Sequence, residues 1–164
     1  MAKKEKEVKT NAMRILDKNK VKYESHTYEC TEFTDGGQIA DLLGIDHSKV
    51  YKTLVTVGKS KNYYVFVLPI DDEIDFKKAA KVVGEKSLEM LPLKELTPLT
   101  GYVRGGCTAV GMKKQFPTVF NDTIESLEKV VVSGGQLGLQ LELAPADLIR
   151  VARGSVGDVI VKEG

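Results

Sequence analysis

Two apolar runs, 50-VYKTLVTVG-58 and 63-YYVFVLPI-70, stand on either side of a short polar turn, and this pair decides the fold. Both runs are rich in β-branched and aromatic residues, which are typical of strands. We therefore predict an antiparallel hairpin. Alternate residues of a strand share a face, so Lys52 lies on the same face as Val50 and Leu54. Those two neighbours indicate that this face is buried.

A lysine on a buried face must be paired, reach water along its stem, or line a pocket. If the ammonium of Lys52 loses its water, its pKa falls below the usual value of about 10.4, and the group becomes available for chemistry or for binding an anion. From the pattern alone, both a pocket lysine and a lysine that reaches water from the strand remain open.

Helices are predicted on both sides of the hairpin. Thr10 is the predicted cap of the first helix, and Asp75 and Gly84 are the predicted ends of another. A helix over 34–44 would pack through Ile39, Leu42 and Leu43. A further helix is predicted from 145 to 153, two helical turns within 86–99, and strands at 22–28, 117–121, 129–133, 138–143 and 157–161.

The totals describe an ordinary globular chain. It has 164 residues, 42% hydrophobic and 29% charged, with a formal net charge of +1. One α+β domain over 10–162, preceded by a charged tail over 1–9, fits this length. The near-zero net charge argues against independent, tight binding of nucleic acid. No apolar run is long enough to cross a membrane, and no signal peptide is apparent, so we expect a cytoplasmic protein.

The cysteines and histidines do not form a recognisable metal or disulfide motif. Cys30 and Cys107 are far apart, and the chain has only two histidines. We expect two reduced cysteines, no metal and no cofactor.

Two glycine clusters, 105-GGCTAVG-111 and 134-GGQLG-138, follow strand-like runs, with Ser133 at the edge of the second. Glycines let backbone N–H groups approach an anion closely, although tight turns between strands explain such clusters equally simply. Lys113 and Lys114 follow the first cluster and form either a phosphate-binding edge or a solvated loop. Glu142 alternates with leucines, which predicts a solvent-facing position.

Six stretches, in order along the chain, resemble the YbaK family of free-standing Cys-tRNA(Pro) deacylases, relatives of the editing domain of bacterial prolyl-tRNA synthetases. They are 10-TNAMRILDKNKVKYE-24, HTY at 26–28, 50-VYKTLV-55, 76-FKKAAK-81, 100-TGYVRGGCTAVGMKKQFPT-118 and 132-VSGGQLGLQLELAPADL-148. The resemblance implies one α+β domain with a mixed, strongly curved β-sheet flanked by helices. It also implies aminoacyl-tRNA, through its 3′ end, as substrate and prolyl-tRNA synthetase as partner.

The resemblance also assigns a site. It implies that Lys52 is the catalytic residue and that the following residues bind substrate: Tyr28, Phe33, Thr53, Gly105, Gly106, Ser133, Gly134, Gly135 and Gln140. Some relatives carry an acidic residue near the position of Gln140, where this chain has a neutral amide. The segment between Tyr28 and Phe33 is shortened in this chain.

The implied reaction uses no protein nucleophile. In this family the sulfur of the substrate cysteine is thought to attack its own ester and give a cyclic thiolactone, which fits the lack of a Ser–His or Cys–His pair. Cys107 as nucleophile is a weaker alternative. Two other functions remain open: deacylation of Ala-tRNA(Pro), and a non-catalytic module that binds aminoacyl-tRNA or the synthetase.

Overall fold

The computed structural model describes residues 9–29 and 36–162, which contain both helices and strands. The helices are α1 (Asn11–Lys18), α2 (Gly36–Leu43), α3 (Phe76–Val83), α4 (Leu93–Thr100) and α5 (Pro145–Ala152), with short 3₁₀ turns at His47–Lys49 and Asp122–Ser126. The strands are β1 (Tyr23–Thr27), β2 (Tyr51–Gly58), β3 (Tyr63–Pro69), β4 (Leu88–Met90), β5 (Thr118–Asn121), β6 (Val130–Ser133), β7 (Leu139–Leu143) and β8 (Ser155–Gly157).

The predicted hairpin is confirmed as the centre of a five-stranded sheet. Strands β2 and β3 pair antiparallel, with Lys52 opposite Leu68. The sheet order is β4-β2-β3-β5-β8, and β5 runs parallel to both β3 and β8. The sheet is therefore mixed, as predicted.

A second, three-stranded sheet of order β1-β7-β6 is antiparallel throughout. The two sheets meet at an isolated parallel bridge between Val50 and Val131, both of which are fully buried. The predicted α+β class is confirmed, while the strong curvature remains a prediction. The start of β2 is thus fixed between the sheets, and Lys52 lies two residues beyond this junction.

Local capping explains where several helices begin and end. The Thr10 hydroxyl accepts a hydrogen bond from the Met13 N–H at 3.2 Å. The Asp75 carboxylate accepts from two N–H groups at the start of α3, and Gly84 ends that helix with φ of +79°. These are the caps that the sequence predicted.

Two predictions about elements were wrong and a third was incomplete. The two helical turns predicted within 86–99 correspond to α4, but Leu88–Met90 forms β4, which was not predicted, because pairing with the edge of β2 outweighs the helix preference of Leu, Glu and Met. The last strand lies at Ser155–Gly157 instead of 157–161, and beyond it Val159 donates its N–H to the Asn121 side chain at 3.0 Å. Leu42 is 64% exposed.

The position of Leu42 follows from the small residue at Ala40. Ala40 is fully buried and packs near Val50 and Val131, so α2 approaches the junction of the sheets through this residue. Leu42 lies about 200° around the helix from Ala40 and therefore faces solvent.

The main core lies between the two sheets and includes the Tyr51 and Val55 side of β2 together with Val130, Leu141 and Leu143. A second cluster packs α3 against the other face of the five-stranded sheet. Across 9–29 and 36–162, no helix combines the length and apolarity that membrane crossing requires.

Candidate functional site

A cavity of about 670 Å³ opens where the two sheets diverge. Its walls come from the first half of β2, the start of α2, the residues around α4 and the loop at 104–107. The second sheet contributes Ser133 and Gln140. This volume is typical of small-ligand sites, and the lining mixes apolar side chains with a few polar groups.

One edge of β2 is open along this cavity. Strand β4 pairs only with Thr56, Val57 and Gly58, and no described strand pairs with this edge between Tyr51 and Thr53. Because Ile70 donates its N–H to the Val50 carbonyl, strand alternation directs the N–H and C=O of Thr53 away from β3. The predicted site residue Thr53 lines the cavity and offers backbone groups at its wall.

Lys52 lines the same cavity and is half-buried. Its ammonium donates to the Ile70 carbonyl at 3.2 Å. Burial lowers the pKa of Lys52 below its usual value, and this effect is opposed by the negative charges of Asp72, Glu73 and Asp71. The structure therefore resolves the alternatives for this residue: the lysine lines a pocket.

Two further predicted residues meet across the second sheet. Gln140 is only 4% exposed, and its Nε2 donates to the Tyr28 hydroxyl at 3.3 Å. Ser133 lies opposite Gln140 on the neighbouring strand, and both side chains line the cavity. Tyr28 adjoins the site through Gln140, and Phe33 lies outside the described residues.

The glycines divide into two groups. Gly105 lines the cavity with φ of +86°, and its N–H makes no hydrogen bond to any part of the chain that the structure describes. The N–H groups of Gly106 and Gly134 already donate to the carbonyls of Val103 and Leu139 at 2.9 and 3.0 Å. The Gly135 N–H donates to the Ser133 hydroxyl at 3.3 Å.

Close packing explains why positions 106 and 134 are occupied by glycine. A Cβ on Gly106 would lie 2.9 Å from the Cα of Gln136, so the two glycine loops touch there. A Cβ on Gly134 would lie 2.6 Å from the Leu139 side chain. Of the four predicted glycines, only Gly105 is part of the cavity wall.

A model of the aminoacyl-tRNA editing domain matches residues 34–151. The chain belongs to the aminoacyl-tRNA editing domain family. Over 99% of its length it is 42% identical to all of EbsC from Enterococcus faecalis (strain ATCC 700802 / V583), whose provisional name is Cys-tRNA(Pro)/Cys-tRNA(Cys) deacylase. A proline–tRNA ligase of Shouchella clausii (strain KSM-K16) is 29% identical over 62% of this chain and 18% of that one.

The fold of the family is also found in solved structures. One of them, described provisionally as a trans-editing enzyme for prolyl-tRNA synthetase, superimposes with a TM-score of 0.79. The superposition covers 96% of this chain and 100% of the solved chain, and the sequence identity is 24%.

Sequence reasoning missed several residues around the cavity of this editing domain. Asp71 follows β3, and Arg104 precedes the glycine pair within the motif quoted above. Met90 and Leu93 form an apolar rim and are 44% and 57% exposed. The fragment GYVRGG contained the signal for Arg104, whereas no local pattern places β4 and α4 beside β2.

Cys107 also lines the cavity, but its chemistry is that of a buried thiol. It is 8% exposed, and burial raises its pKa to about 12. No histidine lies among the described residues that line the cavity. A thiol in this state is protonated at neutral pH and is a poor nucleophile.

One set of described side chains, Glu24, His26 and Glu142, brings possible metal-ligand atoms within 4.8 Å of one another. Both oxygens of Glu142 are already engaged, by His26 at 2.9 Å and by Lys49 at 3.2 Å. These contacts lower the pKa of Glu142, with the His26 hydrogen bond as the larger cause. The predicted solvent-facing position of Glu142 was wrong, since its side chain is 17% exposed and forms an ion pair.

Proposed function

We propose that this editing domain is a trans-acting deacylase that removes cysteine from Cys-tRNA(Pro). The observation that carries the proposal is the half-buried ammonium of Lys52 in the wall of a cavity that is also lined by Thr53 and the Gly105 loop. The family implies an aminoacyl ester as substrate, and the name of the Enterococcus relative supports cysteine as the amino acid and extends the substrate to Cys-tRNA(Cys).

The groups in the cavity suit a bound aminoacyl-adenosine. Lys52 supplies a positive charge for the 3′-terminal nucleotide and orients the ester. The Gly105 N–H, which has no partner among the described residues, is available to the ester carbonyl oxygen, where negative charge develops during the reaction. Ser133 and Gln140 supply polar contacts on the opposite wall.

The proposed step is substrate-assisted. The substrate sulfur forms a bond to its own ester carbonyl carbon, and the bond from that carbon to the ribose oxygen breaks. The thiol proton is transferred to the departing ribose oxygen, so the products are a cyclic thiolactone and free tRNA. No protein nucleophile is consumed, which is consistent with the protonated state of Cys107. Water then opens the thiolactone to cysteine.

Selection of the tRNA is assigned to a partner. The formal net charge of +1 provides little general attraction for RNA, so we propose that prolyl-tRNA synthetase presents the mischarged tRNA in the cytoplasm. The relationship to part of a proline–tRNA ligase supports this choice of partner.

The test is deacylation of Cys-tRNA(Pro), Ala-tRNA(Pro) and Pro-tRNA(Pro) by the purified protein, with and without prolyl-tRNA synthetase. We expect release of cysteine alone. Because the reaction needs the substrate sulfur, Ser-tRNA is a matched control and should persist. Cleavage of Ala-tRNA(Pro) would replace the cysteine assignment with the alanine one. Survival of all esters, even with the synthetase, would leave a binding module.

A further inference from the structure

A second cavity, of about 390 Å³, has a wall that is strongly cationic. Lys114, Arg150 and Arg153 line it, and no Asp or Glu is among its lining residues in the described ranges. In a chain whose formal net charge is +1, three positive charges in one concavity are a local concentration. Mutual repulsion among these groups is relieved when an anion binds between them.

Little of this charge is neutralised within the protein. Arg150 pairs with Asp147 at 3.2 Å through one nitrogen and is 56% exposed, so most of its donors remain available. Lys114 and Arg153 form no ion pair with the described residues. A guanidinium group can donate two parallel hydrogen bonds to the oxygens of one phosphate. Arginine therefore binds phosphate with a more defined geometry than lysine does.

The rest of the wall combines apolar side chains with the polar side chains of Asn19, Gln115 and Thr118. Ile15 from α1, Met112, Phe116 and Val151 contribute carbon surface beside the three cations. A phosphodiester carries a negative charge together with a ribose and a base, so a mixed cationic and apolar concavity fits it better than it fits a small, fully hydrated anion.

The loop at 101–117 joins this cavity to the first one. Cys107 lines the first cavity and Ala109 lines the second, and two residues of chain can separate their Cα atoms by no more than about 7 Å. The loop is held in place by the Tyr102 hydroxyl, which donates to the Val110 carbonyl at 2.6 Å. On its other side the Asn11 amide donates to the Gly111 carbonyl at 2.7 Å. The loop at 101–117 therefore contributes to the walls of both cavities.

We propose that the cavity lined by Lys114, Arg150 and Arg153 binds a backbone phosphate of the RNA whose 3′ end occupies the first cavity. The inference rests on the proposed function, because it names where the remainder of the same substrate is held. Of the two roles that the sequence left open for Lys114, the proposal selects phosphate binding.

Arg153 offers a variant that should not harm the fold. Its φ is +56°, in the left-handed region that glycine adopts without strain. Arg153→Gly therefore removes the guanidinium and relieves backbone strain. Lys61→Gly is the matched control, since Lys61 also has a positive φ, of 79°, and lines neither cavity. Arg150→Gln is a second test, because it removes a guanidinium from α5 without introducing a glycine.

The decisive comparison uses two substrates. Cys-tRNA(Pro) can reach both cavities, whereas 3′-O-cysteinyl-adenosine reaches only the first. We expect Arg153→Gly and Arg150→Gln each to lower kcat/KM for Cys-tRNA(Pro) about threefold to tenfold, and to reduce the slope of log kcat/KM against log salt by about 0.7. Cleavage of cysteinyl-adenosine and all results for Lys61→Gly should match the parent. Equal losses on both substrates, or an unchanged salt slope, would overturn the inference.

Binding measurements separate this inference from the proposed function. If neither ester is cleaved by the parent protein, even with prolyl-tRNA synthetase present, the proposed function fails, and uncharged tRNA(Pro) still reports on the second cavity. We expect Arg153→Gly to weaken that binding about threefold or more relative to Lys61→Gly. Inorganic phosphate is the second probe. If Arg153→Gly weakens phosphate binding but leaves RNA binding unchanged, the cavity takes free phosphate and the RNA assignment is wrong.

Discussion

The ammonium of Lys52 donates a hydrogen bond to the backbone carbonyl of Ile70 at 3.2 Å, and both residues line the large cavity. Among the described residues, this carbonyl is the hydrogen-bond partner of a charge that burial disfavours. Lys52→Met keeps the length of the side chain and removes the charge. We expect its free energy of unfolding to equal that of the parent within about 1 kcal/mol, or to exceed it, because functional groups are commonly kept at the expense of stability.

Urea unfolding checks this expectation. A loss of about 3 kcal/mol or more would mean that Lys52 is mainly a structural counter-charge for Asp71, Asp72 and Glu73. Lys59→Met is the control, because Lys59 is an exposed lysine in the hairpin turn.

His47 connects α2 to the loop beside the cavity. Its Nε2 contacts Asp41 at 2.7 Å and its Nδ1 contacts Asp71 at 2.9 Å. An imidazole donates from both nitrogens only when it is protonated, and these two carboxylates, Asp41 first, raise the pKa of His47. Because the pKa is higher in the folded state, the stabilisation is complete below the unfolded pKa and is lost as pH rises through the folded one.

We therefore expect the parent to melt at a higher temperature than His47→Asn at pH 5.5 in low salt, and the difference to shrink by pH 8.5. Thermal melts at these two pH values measure it. A difference that increases with pH would show that the neutral imidazole is the stabilising form.

Gly106 lies against the backbone of the other glycine loop. Gly106→Ala would place a Cβ 2.9 Å from the Gln136 Cα, and backbone cannot move aside as a side chain does. We expect it to lower the free energy of unfolding by about 1–3 kcal/mol and to reduce deacylation. Gly84→Ala is the control, since its Cβ would meet nothing within 4 Å. Its loss should be limited to the left-handed backbone penalty of about 1–2 kcal/mol, with activity retained. Equal activities for the two variants would show that the contact between the loops does not support the reaction.

Cys107 should be dispensable for the reaction. With a pKa of about 12, its thiol is protonated at neutral pH. We expect Cys107→Ala to retain deacylation within about threefold, because it removes a buried side chain and no reacting group. Loss of about 100-fold or more in a folded variant would restore Cys107 as a candidate nucleophile.

The sequence predicted those parts of the fold that local chemistry determines. Thr10, Asp75 and Gly84 mark helix ends through hydrogen bonds and a positive φ within a few residues of each helix, so their pattern is readable in one dimension. The alternation around Lys52 likewise identified β2 and its unusual residue.

The errors arise where distant segments decide the outcome. Residues 88–90 became a strand because an edge of β2 was available, and Leu42 is exposed because Ala40 is the residue that fits the sheet junction. Glu142 is paired by His26, which is 116 residues away in the sequence. The hydrogen bond of Gln140 to Tyr28 is equally non-local, and only the family resemblance placed both residues at one site.

The most direct test of the proposed function is the single-turnover deacylation of Cys-tRNA(Pro) by the parent, Lys52→Met and Lys59→Met, with each fold checked by its unfolding curve. We predict that Lys59→Met matches the parent and that Lys52→Met is slower by about 100-fold or more, as expected when a charge that stabilises the transition state is removed. If folded Lys52→Met deacylates Cys-tRNA(Pro) at the parental rate, Lys52 is not the catalytic residue and the proposed mechanism is wrong.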